Sequence, residues 1–320
     1  MPKANDKRGV LNPLWRALAL LAGLVPLSAA ALDARYADKD GDLVADTPAR
    51  TVTPTALLFA YTPGEDPALY RNTWNRFLRH VETAIGRPVR FYAAQSNTAQ
   101  IEAMRAGRLH IAAFGTGAVP VAVTCAGFVP FAIMGGDRGI LGYEMEIITY
   151  PGSGISAPAD LKGRRLAFTS PTSNSGFKMP SVLLRSEFGL EVDKDYRAVF
   201  AGRHENSVLG VAHRDYDAAA IANEVMHRMM ARNVVTKDQI VTVYKSATFP
   251  TAAFGLAHNI EPKLASRIRD AFFSFPWVGS ALAKEFATLG VSKFMPINYR
   301  DHWAVVRQVD EALKVRYACR

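Results

Sequence analysis

The chain has 320 residues, 49% of them hydrophobic, and a formal net charge of +9. That length supports one large or two medium domains with complete cores. No apolar run reaches the ~18 residues of a membrane helix, and the Lys and Arg are scattered rather than interleaved with aromatics, so neither a spanning segment nor a nucleic-acid partner is indicated.

The N-terminus has the order of a secretory signal peptide. Lys3, Lys7, Arg8 and Arg16 precede the apolar run "ALALLAGLVPL", and the small residues "SAAAL" follow it. Residues 1–30 are therefore read as a leader cleaved near Ala30 or Ala31, which places the mature chain in the periplasm. No Cys follows to carry a lipid. The leader holds four basic residues and one acid, leaving about +6 on the rest. A mildly positive protein suits an anionic small ligand.

Residues 31–50 read as an acidic tether. Inside it, "DKDGDLVAD" sets Asp38, Asp40, Asp42 and Asp46 on a turn, where alternate carboxylates converge on a hard cation such as Ca²⁺. Gly41 stands at the fourth place of that loop rather than the sixth, and no Glu closes it, so a solvated acidic turn is an equal reading.

An α/β rhythm follows. "TALLFAY" is a strand. "DPALYRNTWNRFLRHVETAIG" is an amphipathic helix, with Leu69, Trp74, Phe77, Leu78, Val81 and Ile85 at helical spacing and Gly86 as its stop. "PVRFYAA" and "LHIAAFG" are strands flanking the helix "NTAQIEAMRAG", and "TGAVPVAVTCA" begins another helix. The pattern then repeats. The strands are "GYEMEIITY", "RRLAFTS", "YRAVFAG", "YDAAAIANE" and "QIVTVYKS". The helices are "SGFKMPSVLLRSEFG", "HENSVLGVAHR" and "EVMHRMMAR", with "EPKLASRIRDAFFSF" and "YRDHWAVVRQVDEALKVRY" closing the chain. Such alternation implies a mainly parallel sheet.

Enzyme signatures are thin. There is no Walker loop, no G-x-S-x-G and no H-E-x-x-H. "GSGISA" fits a loose dinucleotide fingerprint but lacks the crossover helix that the chemistry requires. What remains are polar residues where strands end and helices begin, the ligand end of an open α/β sheet. Three such places stand out: "AFGTGAVP" with Thr116, "SPTSNSG" with Ser173, Asn174 and Ser175, and "AGRHENS" with His204. Each is also readable as a loop or a helix cap. Jointly they offer hydroxyls, backbone N–H groups and one imidazole, a fitting set for an oxyanion. Cys125 and Cys319 are the two cysteines. Three readings are open: a disulfide in an oxidising compartment, a small buried residue at Cys125, or a soft ligand for a thiophilic element.

"SPTSNSGFKMP", followed about 30 residues later by "AGRHENSVLGVAHRDYDAAAIANE", resembles the phosphonate-binding family of periplasmic proteins, which serve ABC importers for phosphate, phosphite and phosphonates. The resemblance runs from about Thr55 to Ala287. It implies a non-enzymatic, cofactor-free α/β protein of the two-lobed type II periplasmic binding fold, with ligand held in the cleft between lobes. One lobe is expected from residues 51–145 and 250–320, the other from 146–249. Such proteins usually act as monomers beside a membrane permease. By resemblance, Ser173, Asn174, Ser175 and His204 hold the oxyanion, and Glu224 stands where a binder of aminoalkylphosphonates meets the ammonium group. Thr116 and Tyr143 are weaker expectations from the opposite lobe.

Departures from that pattern matter. The family's pocket tyrosine becomes Phe114, another aromatic place becomes Asn97, and no second acid lies near Thr251–Ala252. One Glu alone repels a bare anion unless another group compensates. The stretch "GTGAVPVAVTCAGFVPF" is also similar to an arsenite-sensing branch of the family, in which Cys125 would contact arsenic and a membrane histidine kinase ectodomain would read the complex. A phosphorus-ester hydrolase is the third reading, with no nucleophile–base pair to support it.

Overall fold

The computed structural model describes residues 32–137 and 139–319. The leader, residues 1–30, lies outside the described residues. Two sheets organise the chain. The first is built from β1 (Leu57–Ala60), β2 (Val89–Phe91), β3 (Ile111–Phe114), β4 (Phe128–Gly136), β5 (Gly139–Ile140), β11 (Ala253–Ala257) and β12 (Lys293–Pro296), in the order β12-β4-β11-β3-β1-β2 with β5 paired to β4. The second holds β6 (Gly142–Thr149), β7 (Arg165–Phe168), β8 (Arg197–Phe200), β9 (Ala218–Ala222) and β10 (Val241–Pro250), in the order β10-β6-β9-β7-β8. The backbone passes between sheets at Leu141 and again at Thr251–Ala252.

The sheets are mixed rather than mainly parallel. β1 pairs parallel with β2 and β3, and β7 pairs parallel with β8 and β9. β4, β6, β10 and β11 pair antiparallel with their neighbours. These are the strands that carry the chain from one sheet to the other, and they enter without the crossover helix that a parallel neighbour requires.

Helix α1 (Pro67–Ile85) illustrates how the sequence dictates its element. Asp66 caps it by accepting from the Ala68 N–H, Pro67 takes the first turn, and Gly86 ends it at φ +68°. Tyr70, Trp74, Phe77, Leu78, Val81 and Ile85 are buried, whereas Leu69 faces solvent. Each such burial contributes roughly 1.5–3 kcal/mol, and Trp74→Ala would cost about 3–5 kcal/mol. Trp74 packs against Phe59, Tyr61 and Phe254, which ties the helix to the first sheet.

Each sheet has its own hydrophobic core. The C-terminal segment, expected as one helix, forms two short ones, α9 (Tyr299–His302) and α10 (Ala304–Ala312), after α7 (Pro262–Phe273) and α8 (Ala281–Glu285). α10 straddles both cores: Val306 belongs to the first and Val309 to the second. On α10, Asp310 pairs at 2.7 Å with Lys178 of the second lobe, both side chains almost fully buried. Residues 32–50 lack regular structure but lie against the first lobe, where Val44 and Ala45 are buried and the Asp33 N–H donates to the Thr124 carbonyl.

Candidate oxyanion site

The loop between β7 and helix α4 (Met179–Phe188) contains the Ser173–Ser175 cluster. Ser173 caps a π-helical turn, Asn174–Lys178, that runs directly into α4. Its Oγ accepts the Gly176 N–H at 3.0 Å. Gly176 must be glycine, because a Cβ there would stand 2.0 Å from Thr169 Oγ1 and 2.8 Å from Ser173 Oγ. Helical turns begin with N–H groups that have no intrahelical acceptor. Those of Asn174 and Ser175 have none among the described residues, and both residues line a cavity of about 60 Å³ between the two sheets.

His204 opens helix α5 (His204–Ala212), and its ring is oriented by two contacts. Nδ1 accepts the Ala222 N–H at 3.0 Å, which leaves the ring proton on Nε2, and Nε2 faces Ser173 Oγ at 3.3 Å. Burial, reinforced by the nearby Arg228 charge, pushes the imidazole down to about 4. The histidine is therefore a neutral Nε2–H donor at neutral pH. Ser173 Oγ accepts from Gly176 and from His204, so its own proton is left to donate into the cavity.

Thr116 and Tyr143 also line the cavity. Thr116 follows β3 on the first lobe, and its Oγ1 donates to the Pro250 carbonyl at 2.7 Å. Tyr143 was expected from the opposite lobe but stands on β6, in the same sheet as the Ser173 loop. β6 pairs with β9 and β10 of that sheet, and Tyr143 itself stands opposite Phe249. Its hydroxyl takes Asn174 Nδ2–H at 3.3 Å, and burial raises its pKa against the polar side chains of Ser175, Thr116 and Asn174 beside it.

Glu224 lies in the cavity wall on helix α6 (Asn223–Ala231). Burial pushes its carboxyl up, and Arg228 opposes that shift. Arg228 Nη1 is 3.8 Å from Glu224 Oε2. Arg228, which the sequence did not single out, is the cation beside Glu224. Its partners reach across the cleft: Nε and Nη2 donate to Glu65 Oε2 at 3.0 and 2.9 Å, and Glu65 also binds Arg232 and Tyr70. Further contacts close the cleft, with Asn97 Nδ2 donating to Thr172 Oγ1 at 3.1 Å and Arg203 Nη2 to Gln95 Oε1 at 2.6 Å.

A family model for the periplasmic substrate-binding protein of phosphonate ABC transporters matches residues 59–303. The chain belongs to this family. A phosphate-import protein, PhnD, of Mycolicibacterium smegmatis is 25% identical over 279 residues, covering 83% of this chain and 85% of that protein. Among solved structures, a binding-protein component of a phosphonate ABC transporter from Pseudomonas aeruginosa superposes with a TM-score of 0.71 at 24% identity, covering 81% of this chain and 86% of that one. The methylphosphonate complex of PhnD1 from Prochlorococcus marinus gives 0.72 at 14% identity, covering 82% and 99%. These likenesses establish the two-lobed periplasmic binding fold. Members of the family are binding components of transporters, not enzymes, and no described helix is long and apolar enough to cross a membrane.

Two expected residue sets fall outside the cavity of this substrate-binding protein. Cys125, considered as an arsenic ligand, is on helix α3 (Val119–Ala126) and is joined to Cys319 by a disulfide with Cα atoms 5.0 Å apart. A disulfide sulfur has no thiolate to offer a soft ion, so that role is withdrawn. In the acidic loop, Asp38, Asp40 and Asp42 bring carboxylate oxygens within 4.8 Å of one another. Asp46 does not join them; it accepts the Lys39 N–H at 3.1 Å. The three carboxylates already accept loop amides from Leu43, Asp42 and Val44, and no cation is assigned there. Thr169, Thr172 and Arg228 line the cavity without having been singled out. For Arg228 a signal existed: it lies four residues after Glu224, the spacing of a helical ion pair.

Proposed function

We propose that this chain is the solute receptor of an ABC importer and captures a small phosphorus oxyanion, such as phosphate, phosphite or a short alkylphosphonate, between its lobes. The observation that carries the reading is the convergence of neutral donors on one cavity between the lobes. The Ser173 hydroxyl, oriented by the His204 Nε2–H, and the Asn174 and Ser175 amides all border it. Neutral donors at a helix start bind an anion without a permanent countercharge. Ser175, Thr116 and Tyr143 complete the wall.

Size supports a small guest. A cavity of about 60 Å³ holds roughly four to six waters at ~10–15 Å³ each, close to the bulk of one tetrahedral oxyanion. The names of the relatives point the same way, one being a phosphate importer and one holding methylphosphonate. Closing the cleft would be the signal. A ligand that contacts both lobes shifts the population toward the closed form, with Leu141–Gly142 and Thr251–Ala252 as the hinge and a membrane permease as its reader. The leader sequence "ALALLAGLVPLSAA" supports a periplasmic site of action.

Titration calorimetry with phosphate, phosphite, methylphosphonate, arsenate and arsenite tests the proposal. Saturable heat from at least one phosphorus oxyanion, lost in a Ser173→Ala and Ser175→Ala double variant, is expected. Heat from arsenite alone, or none from any phosphorus oxyanion, would refute it.

A further inference from the structure

Arg228 is buried in the cavity wall, and nothing described above assigns it a role toward the ligand. Its side chain is 4% exposed. The guanidinium carries five N–H donors in a planar fork, and the fork is only partly used. Nε and Nη2 are held by Glu65. Nη1 makes no hydrogen bond, although it is shut away from solvent. Its near neighbour is Glu224 Oε2, at 3.8 Å, beyond hydrogen-bond distance. A buried cationic donor without an acceptor is unfavourable and calls for one.

The surrounding charges are asymmetric. Glu65, Glu285, Arg228 and Arg232 form an ion-pair cluster spanning the two lobes, with Arg232 joined to both acids. Of that cluster and Glu224, only Arg228 and Glu224 border the cavity. Without Arg228, the wall would present a lone carboxylate, which attracts an ammonium group and repels an oxyanion. With it, the wall presents a cation and a spare N–H beside that carboxylate.

We infer that Arg228 sets the ligand class of the cavity, its unpaired Nη1–H turning out of its shielded position to meet a ligand oxygen as the ligand enters, and that it turns away phosphonates whose substituent carries an ammonium group. The inference rests on the oxyanion-receptor reading and deepens it. A planar guanidinium donates along fixed directions, whereas a lysine ammonium is a point charge on a flexible stem. Geometry and charge can therefore be separated by substitution.

The experiment is titration calorimetry of the full mature chain with inorganic phosphate, methylphosphonate and 2-aminoethylphosphonate, on wild type, Arg228→Lys and Arg228→Gln. Circular dichroism melts establish that each variant is folded, and Arg228→Lys retains the charge opposite Glu65 if Arg228→Gln does not fold. Wild type should bind methylphosphonate at least tenfold more tightly than 2-aminoethylphosphonate. Arg228→Lys should weaken methylphosphonate about tenfold and keep a preference for it. Arg228→Gln should erase or reverse the preference. Equal wild-type affinity for the two phosphonates overturns the inference, as does a folded Arg228→Lys with unchanged affinity. A wild type that binds neither phosphate nor any phosphonate refutes the receptor reading itself and the inference with it.

Discussion

Gly117 of the first lobe rests directly on Asn174 of the second: a Cβ added to the glycine would stand 2.5 Å from the Asn174 backbone nitrogen and 2.5 Å from the Thr172 carbonyl oxygen. The same glycine's carbonyl accepts from Lys178 Nζ at 2.8 Å. The clash exists only when the lobes are together, because the two residues belong to different lobes. Gly117→Ala should leave each lobe folded and obstruct closure. Overfilling a packed contact costs about 1–3 kcal/mol, so ligand affinity should fall about 5- to 150-fold while the ligand-free melting curve stays near wild type. Calorimetry beside a melt distinguishes this from general destabilisation, and wild-type affinity would count against closure at this contact.

His204 makes stability depend on pH in a defined direction. Its folded pKa is depressed to about 4 from an ordinary 6.5. Between those values the unfolded chain binds a proton that the folded chain refuses, so stability falls as pH drops below 6.5 and levels off below about 4. Above 6.5 the contribution is flat. Denaturant unfolding across pH 4–7 should show that slope, and His204→Ala should reduce it. The same variant removes the Nε2–H that holds Ser173 Oγ as an outward donor, a hydrogen bond worth about 0.5–1.5 kcal/mol, so affinity at pH 7 should fall about 2- to 12-fold. An unchanged slope would mean that the ring is not held neutral by its surroundings.

The Cys125–Cys319 disulfide closes a loop with a sequence separation of 194 residues and pins the end of the chain to α3. Breaking it by reduction, or by Cys125→Ser with Cys319→Ser, should lower unfolding stability by about 2–5 kcal/mol. Phosphorus-oxyanion affinity should be unaffected, because Cys125 does not border the cavity. Thiol titration of the unfolded native protein should find no free thiol before reduction. A comparable loss of ligand affinity would place the cysteine in the site after all.

Lys178 and Asp310 form the buried pair that holds α10 on the second lobe, with side chains 2% and 6% exposed. Burial pushes the Lys178 amine down, and Asp310 opposes that shift. Lys178→Met strands Asp310, although the Tyr317 hydroxyl still donates to it, and should cost about 3–5 kcal/mol in denaturant unfolding. Adding Asp310→Leu removes the stranded charge and should recover most of the loss. A double variant as unstable as the single would show that the pair's hydrogen bonds, including the one to the Gly117 carbonyl, matter more than its charge.

Much of the fold was legible because it follows from local periodicity. α1 announced itself through a helical apolar stripe and a terminal glycine. β7, β8 and β9 were bounded by turns and followed by helices. The strands β4, β11 and β12 were not recognised. β4, "FVPFAIMGG", is buried almost throughout, so it lacks the alternation that marks a half-buried strand, and β11 is buried at every position. The candidate site was legible in part for the same local reasons: Ser173–Ser175 and His204 stand at helix starts after strands, the expected ligand end of such sheets. Arg228 was hidden inside "NEVMHRMMA", and its significance comes from Glu65, 163 residues earlier.

The amino-acid sequence alone determined the helices, most strands, the cap-rich loop and the family, because capping and amphipathic periodicity act between residues a few positions apart. Tertiary structure decided which distant groups meet. It joined Cys125 to Cys319 and so removed a thiol from consideration, set Arg228 between Glu65 and Glu224, and turned His204 into a neutral donor by burying it. Charge, protonation state and covalent pairing at such places depend on through-space distance and exclusion of water, which no local pattern encodes.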